Sequence, residues 1–192
     1  SAQKDDALER IARRVEAAVD AILEANAKDV EIARASGRDA AFLDRLALTP
    51  ERVKQMAEGV RQVRALPDPV GVVTDLRPRP TGIQVGRMRM PLGVIAMIFE
   101  ARPNVTVDAA GLAIKSGNAL VLRGGSEAIR SNLALASLVR EALREAGLPA
   151  DGVQMIEDTD RALVGELIRA REWVDVLIPR GGKSLIARLA AE

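Results

Sequence analysis

Hydrophobic positions repeat with a helical period through the first part of the chain. Residues 4–35 place apolar side chains on one face, which predicts a long amphipathic helix with a break near Ala27. Gly37 predicts the end of this helical region, because glycine readily adopts the conformation that terminates helices. A short helix is predicted next, over residues 40–46. We therefore expect the amino-terminal part of the chain to be helical.

A proline-rich connection interrupts the helical pattern. Thr49 and Pro50 supply an N-cap and a first-turn proline for a third helix, which we expect to run to about Leu66. Four prolines exclude helix from residues 67–82, which predicts an extended, turn-rich segment. Residues 82–90 alternate between apolar and polar side chains, as in a half-exposed strand.

Short apolar runs alternate with helical patterns in the second half. Residues 92–99 and 119–122 are rich in Val, Ile and Leu, as is typical of parallel strands covered on both faces. The predicted strands span residues 92–99, 118–123, 153–156 and 174–178, and the predicted helices span residues 104–116, 127–146, 160–171 and 183–190. This order predicts an α/β fold with a doubly wound, parallel sheet. The strand over residues 82–90 continues through Pro91 into the first buried strand, which predicts an arm that leaves the main domain.

Two of the predicted strands end in the same turn, and each turn precedes a predicted helix. These turns are Arg123, Gly124 and Gly125, and Arg180, Gly181 and Gly182. Backbone N–H groups at such turns point toward the carboxyl edge of the sheet, where they can bind phosphate, and Arg matches phosphate geometry. Lys183 adds a further positive charge. A single Gly-Gly turn is often only a tight connection, but two equivalent turns favour phosphate binding. Neither is a GxGxxG or Walker sequence.

A polar turn follows the most apolar strand. Asn104 there can cap the next helix, or it can donate a hydrogen bond to an oxyanion while Glu100 or Arg102 contacts a charged substrate. We assign the large aromatic side chains, Phe42, Phe99 and Trp173, to packing.

Composition excludes several classes of function. The 192 residues carry a net charge of +1, with Lys and Arg scattered among Asp and Glu, so we expect no nucleic-acid or anionic-membrane partner. The amino terminus is unlike a signal peptide and no apolar run is long enough for a span, so we expect a cytoplasmic protein. There is no Cys, His or Tyr, which excludes disulfides and the commonest metal ligands and nucleophiles. We therefore predict no metal site.

Two stretches carry a family resemblance, PLGVIAMIFEARPNVTVDAAGLAIKSGNALVLRGGSEA and VDVLIPRGGKSLI. Together with the rest of the chain they resemble the amino-terminal part of the gamma-glutamyl phosphate reductases, a family of the aldehyde dehydrogenase superfamily. The resemblance implies that residues 1–192 form an incomplete, Rossmann-like cofactor-binding domain, with residues 76–91 as part of an oligomerisation arm and no catalytic domain. It also implies NADPH-dependent reduction of L-glutamyl 5-phosphate to L-glutamate 5-semialdehyde and phosphate in proline biosynthesis.

The resemblance implies roles for individual residues. Asn104 matches the oxyanion-hole asparagine, and Arg123 matches a lysine that contacts the adenosine ribose. Ser126 lies where NAD-preferring relatives have a glutamate, and a neutral side chain there tolerates the 2′-phosphate of NADPH. The second turn matches the helix start that faces the pyrophosphate. The full set of predicted cofactor-binding residues is Arg123, Gly124, Gly125, Ser126, Glu127, Arg180, Gly181, Gly182 and Lys183.

The catalytic cysteine of the family has no counterpart in this sequence, so we expect a fragment without reductase turnover of its own. For the full-length parent, the expected partners are a small-molecule substrate, further copies in a homo-oligomer, and glutamate 5-kinase in a functional association. Two alternatives remain open, namely another acyl-phosphate or aldehyde reductase of the superfamily, and a non-catalytic nucleotide-binding module.

Overall fold

The computed structural model of the protein describes residues 1–182 and residue 186. The α-helices are α1 Ala2–Ala17, α2 Val19–Ala35, α3 Ala40–Leu46, α4 Pro50–Ala65, α5 Asn104–Ser116, α6 Ile129–Glu145 and α7 Ala162–Arg169. The strands are β1 Val73–Pro78, β2 Gln84–Met88, β3 Val94–Phe99, β4 Ala119–Arg123, β5 Val153–Met155 and β6 Val176–Arg180. Short 3₁₀ turns precede α6 and β5, at Ser126–Ala128 and Ala150–Gly152.

The central sheet confirms the predicted α/β architecture. Its order within the described residues is β5-β4-β3-β6, and every pair of neighbours is parallel. Ile95 and Phe99 of β3 face the larger core, which α1, α4, α5 and α6 cover. Ala96 and Ile98 face the opposite side, where they pack against α7. The sheet is therefore covered on both faces, which explains why its central strands are apolar throughout.

The strand order places a topological switch at β3. The chain passes outward from β3 to β4 and β5, and then returns through α7 to pair β6 with the other side of β3. In open α/β sheets, ligands bind at such a point, beyond the carboxyl ends of the strands.

The helical break near Ala27 was predicted wrongly. α2 is continuous from Val19, and the chain breaks instead at Ala18. The polar side chains that interrupt the apolar stripe of α2, Asn26 and Asp29, are buried hydrogen-bond partners of α3 and α6. Asn26 donates to the Leu46 carbonyl, and Asp29 accepts from both the backbone N–H and the hydroxyl of Ser131. These polar residues on α2 are therefore packing contacts.

The predicted arm is a separate antiparallel hairpin of β1 and β2. It differs from the expectation in two ways, because every residue of it is exposed and because β2 ends at Met88 without continuing into β3. Its first strand, β1, lies in the segment that was predicted to be extended and turn-rich. Gly93 separates the hairpin from β3 with a φ of 116°, and a Cβ atom there would lie 2.1 Å from the Asp175 carboxylate. Only glycine fits this connection.

Several predicted elements agree closely with the structure. The helices over residues 40–46 and 104–116 have the predicted bounds, and the third helix begins at Pro50 with Thr49 as its cap. The helix predicted over residues 183–190 falls largely outside the described residues. Within the described part of the chain, no helix has the length and apolar character that crossing a membrane requires.

Candidate functional site

A cleft of about 880 Å³ lies at the carboxyl edge of the sheet, at the topological switch. It brings together most of the residues predicted for the cofactor and substrate. Those that line it are Glu100, Arg102, Arg123, Gly125, Ser126, Glu127, Arg180, Gly181 and Gly182. Lys183 lies outside the described residues. The two Arg-Gly-Gly turns, 57 residues apart in sequence, therefore border one cleft.

The charges around the cleft favour an anionic ligand. Six arginines and two glutamates line it. Both carboxylates accept backbone hydrogen bonds, Glu100 from the N–H of Gly182 at 3.0 Å and Glu127 from the N–H of Ala101 at 2.7 Å. These bonds tie the end of β3 to both Arg-Gly-Gly turns. The excess of guanidinium groups suits phosphate, because Arg binds phosphate through paired hydrogen bonds.

Close contacts, and not unusual backbone angles, require the two glycines of the first turn. A Cβ atom at Gly124 would lie 2.1 Å from Asn132 Nδ2, and one at Gly125 would lie 2.2 Å from Glu127 Oε1. Neither glycine has a positive φ. The left-handed residue is instead Ala101, with a φ of 42°, whose N–H is held by Glu127. Glu127 thus stabilises a strained turn at the end of β3.

Arg123 is 8% exposed, and its guanidinium binds backbone carbonyls on both sides of the cleft edge. Nη1 donates to the Gly124 carbonyl at 3.0 Å, and Nη2 donates to the Thr159 carbonyl at 3.0 Å. These bonds link the end of β4 to the loop before α7. Ser126 is exposed at the start of the following 3₁₀ turn and lines the cleft. Its side chain carries no negative charge.

Asn104 lies apart from the cleft, in a second cavity of about 360 Å³. It is the first residue of α5 and makes no side-chain cap, so the capping alternative is wrong. Its amide donates to Asp108 Oδ2 at 2.8 Å. Burial raises the pKa of Asp108, although the Asn104 hydrogen bond and the charge of Arg180 oppose the rise. Arg102 lines both cavities, whereas Glu100 lines only the larger one.

Sequence reasoning missed the residues that α3 and its flanks bring to the cleft. Arg38, Phe42 and Arg45 all line it, and the two guanidinium carbons lie 4.7 and 5.8 Å from the centre of the Phe42 ring. The three-residue spacing of Phe42 and Arg45, which places both side chains on one face of α3, was the available signal, whereas Arg38 precedes the helix. Phe42 is therefore more than a packing residue. Phe99 is buried as predicted, but Trp173 is 75% exposed, so its assignment to packing was wrong.

A parallel sheet with helices on both faces and a polar cleft at its switch point defines a Rossmann-like α/β domain. A sequence model of the aldehyde dehydrogenase family matches residues 2–191. The chain belongs to the aldehyde dehydrogenase family.

Solved structures give a narrower similarity. The chain is 46% identical to gamma-glutamyl phosphate reductase from Thermotoga maritima over 98% of its length, with a TM-score of 0.95. It is 32% identical to gamma-glutamyl phosphate reductase from Saccharomyces cerevisiae over 97% of its length, with a TM-score of 0.90. The chain spans 46% and 48% of these two proteins, about half of each. A probable aldehyde dehydrogenase from Listeria monocytogenes EGD-e, 16% identical with a TM-score of 0.75, shares the fold.

Proposed function

We propose that residues 1–192 form the cofactor-binding part of an NADPH-dependent reductase. The complete enzyme would convert L-glutamyl 5-phosphate to L-glutamate 5-semialdehyde and phosphate in proline biosynthesis. The similarity to two gamma-glutamyl phosphate reductases along nearly the whole chain carries this proposal. The alternative, another reductase of the superfamily, would use the same fold. The solved aldehyde dehydrogenases that share this fold are, however, only 13–18% identical to the chain.

The cleft fits a dinucleotide in size and charge. Its volume of about 880 Å³ lies within the range of ligand pockets, about 300–1,000 Å³. The two Arg-Gly-Gly turns supply guanidinium and backbone N–H groups for the phosphates of the cofactor. Ser126 offers no negative charge against a 2′-phosphate, and Arg161 on the cleft wall adds a positive one. These features support NADPH over NADH.

The residues of this chain would bind and orient, while bound NADPH would supply the hydride. The Asn104 amide already donates to Asp108, and its second N–H can donate to the acyl oxygen of a substrate, where negative charge develops. The 192 residues include no cysteine, so the nucleophilic step that the family resemblance implies cannot take place on them. We therefore expect no turnover from this chain alone.

The hairpin of β1 and β2 is the proposed oligomerisation arm. Its exposed apolar side chains, Val73, Leu76, Val85 and Met88, would be covered by another copy of the protein. A cytoplasmic location and an association with glutamate 5-kinase also belong to this proposal, and the association rests on the family resemblance alone.

Fluorescence titration with NADPH and NADH tests the cofactor assignment. We expect the chain to bind NADPH more tightly than NADH by about tenfold, which is about 1.4 kcal/mol of interaction with the extra phosphate. Ser126→Glu places a carboxylate beside that phosphate, so NADPH binding should weaken by a similar factor while NADH binding changes little. Thr81→Glu adds the same charge at the exposed tip of the hairpin and serves as the control. Equal affinities for the two cofactors, or equal losses in both variants, would contradict the assignment.

A further inference from the structure

The second cavity has features of its own, separate from those of the cofactor cleft. It lies where α3, α4 and the loop between them meet the beginning of α5. Arg45 and Arg102 line both this cavity and the cleft, so the two spaces share a rim. A molecule that fills the small cavity can therefore extend toward the cofactor.

The small cavity carries charges of both signs. One acidic group, Asp44, pairs with Arg52 Nη2 at 2.9 Å, and Arg52 Nη1 also donates to the Ala47 carbonyl. The charges of Asp44 and Arg52 therefore neutralise each other at the edge of the cavity. The other acidic group, Asp108, is half-buried on α5, and Oδ2 of its carboxylate accepts from Asn104. Its second oxygen, Oδ1, faces Gly59 of α4.

Gly59 leaves room beside the Asp108 carboxylate. A Cβ atom at Gly59 would lie 4.0 Å from Asp108 Oδ1, and it would meet no other atom within that distance. Glycine in a helix interior costs about 1 kcal/mol relative to alanine. Here the glycine leaves space at the surface of α4, beside Oδ1 of Asp108.

We propose that the small cavity binds the amino-acid head group of the substrate, with the α-ammonium on Asp108 and the α-carboxylate facing Arg45 and Arg102. This assignment rests on the proposed function and names the residues that would recognise the glutamyl moiety. A ligand that is only anionic would be repelled by Asp108, whereas a zwitterionic one matches both signs of charge.

The spacing along α5 agrees with a glutamyl chain. Asn104 and Asp108 are four residues apart on α5, about 6 Å along the axis, and the Asn104 amide contacts the Asp108 carboxylate on its Oδ2 side. Three carbon–carbon bonds separate the α-carbon of a glutamyl group from its acyl carbon, which is a comparable reach once the nitrogen and oxygen atoms are included. The ammonium can thus contact Asp108 while the acyl oxygen lies near Asn104.

Burial also explains why the carboxylate would favour a cation. The pKa of Asp108 is raised because burial disfavours its charged form. An ammonium group in hydrogen-bond contact restores the interactions that the carboxylate lost with water. A charge-assisted hydrogen bond of this kind is among the stronger polar contacts in proteins.

Binding of three related ligands tests the assignment. L-Glutamate carries both head-group charges, glutarate lacks the ammonium, and 4-aminobutyrate lacks the α-carboxylate. Amide chemical shifts of the ¹⁵N-labelled chain would be followed for residues 55–59 and 104–108 during each titration. We expect L-glutamate to bind more tightly than either analogue by about tenfold or more, because each analogue loses a hydrogen bond to a charged group.

Asp108→Asn isolates the ammonium contact and retains an oxygen that can accept from Asn104. This variant should bind L-glutamate about tenfold more weakly and glutarate no more weakly than before, because the repulsion by Asp108 is removed, so that the two ligands become similar. Asp20→Asn, at an exposed position on α2, is the matched control and should resemble the wild type. Circular dichroism would confirm that both variants are folded.

Three outcomes would overturn the assignment. They are an absence of glutamate binding, equal binding of glutamate and glutarate to the wild type, and shifts confined to other parts of the chain. NADPH titration of the same samples separates this inference from the proposed function. A chain that binds NADPH without preferring glutamate refutes only the head-group site. A chain that prefers glutamate without binding NADPH refutes only the cofactor assignment.

Discussion

Gly124→Ala is the most direct test of how the first phosphate-binding turn is built. The added methyl group would lie 2.1 Å from Asn132 Nδ2 and 3.2 Å from Phe99 Cζ. Both neighbours are fully buried, and Asn132 accepts a hydrogen bond from the Thr106 hydroxyl at 3.2 Å. Neither side chain can move without disturbing the core beneath the cleft.

The expected loss of stability follows from two opposing effects. Overpacking of a rigid site costs about 1–3 kcal/mol. Replacing glycine with alanine restricts the unfolded chain, which returns about 0.4–1 kcal/mol where the native φ suits both residues, as it does at Gly124. We therefore expect the free energy of unfolding to fall by about 1–2 kcal/mol. NADPH binding should weaken in parallel, because the turn must shift.

Urea denaturation followed by circular dichroism measures this change. Gly152→Ala is the matched control, because a Cβ atom there meets nothing within 4 Å. It should leave stability unchanged or raise it slightly. In the double variant Gly124→Ala/Asn132→Ala, the collision is removed, so the two losses should be less than additive by about 0.5 kcal/mol or more. Additive losses, or a Gly124→Ala variant as stable as Gly152→Ala, would refute the packing argument.

Three further predictions concern the helices around the second cavity and the buried charges. Gly59→Ala should raise the free energy of unfolding by up to about 1 kcal/mol in urea denaturation, because the new methyl group enters open space; a loss would show that the space is needed for folding. The pKa of Asp108 is raised in the folded state, so the folded chain holds this proton more tightly than the unfolded chain and stability falls as the pH rises above the ordinary value of 3.8. Asp108→Asn should therefore gain stability relative to the wild type between about pH 4 and pH 7 in denaturation series, and an unchanged difference would contradict this sign. Lys115 is 5% exposed, and its Nζ donates to Asp5 Oδ1 at 2.7 Å and to the Arg64 carbonyl at 2.8 Å. Lys115→Ala should lower the free energy of unfolding by about 2 kcal/mol. The control Glu166→Gln, which breaks an exposed ion pair with Arg169, should change it by less than about 0.5 kcal/mol. Similar losses in both variants would exclude a special role for the buried charge.

Helices were predicted accurately where capping residues or a terminating glycine mark their ends in the sequence. α5 begins directly after a proline and ends before Gly117, whose left-handed conformation terminates it. Thr49 and Pro50 likewise defined the start of α4. These signals are local, since a cap or a terminating glycine acts within one turn of its helix. The break predicted near Ala27, which has no such cap or terminating glycine, was wrong, since the chain breaks at Ala18.

The candidate site was predicted in part. The two Arg-Gly-Gly turns were identified because parallel strands bring their carboxyl ends to one edge, wherever they lie in the sequence. Asn104 and Arg102 were also identified, but not the separation of Asn104 into a second cavity. The contribution of α3 was missed. The sequence of a short helix does not indicate which distant segments the helix will contact once the chain has packed.

The sequence by itself determined the order of strands and helices, the parallel sheet and the arginine and glycine turns at its edge, because periodicity and turn chemistry act over a few residues. Tertiary structure alone decided where α1 gives way to α2, which residues border each cavity, and why Gly124 must lack a side chain. Each of these depends on contact between segments distant in sequence, such as Asn132 against Gly124 and Asp108 opposite Gly59. Such contacts depend on close packing across the core, which the pattern of any one segment does not contain.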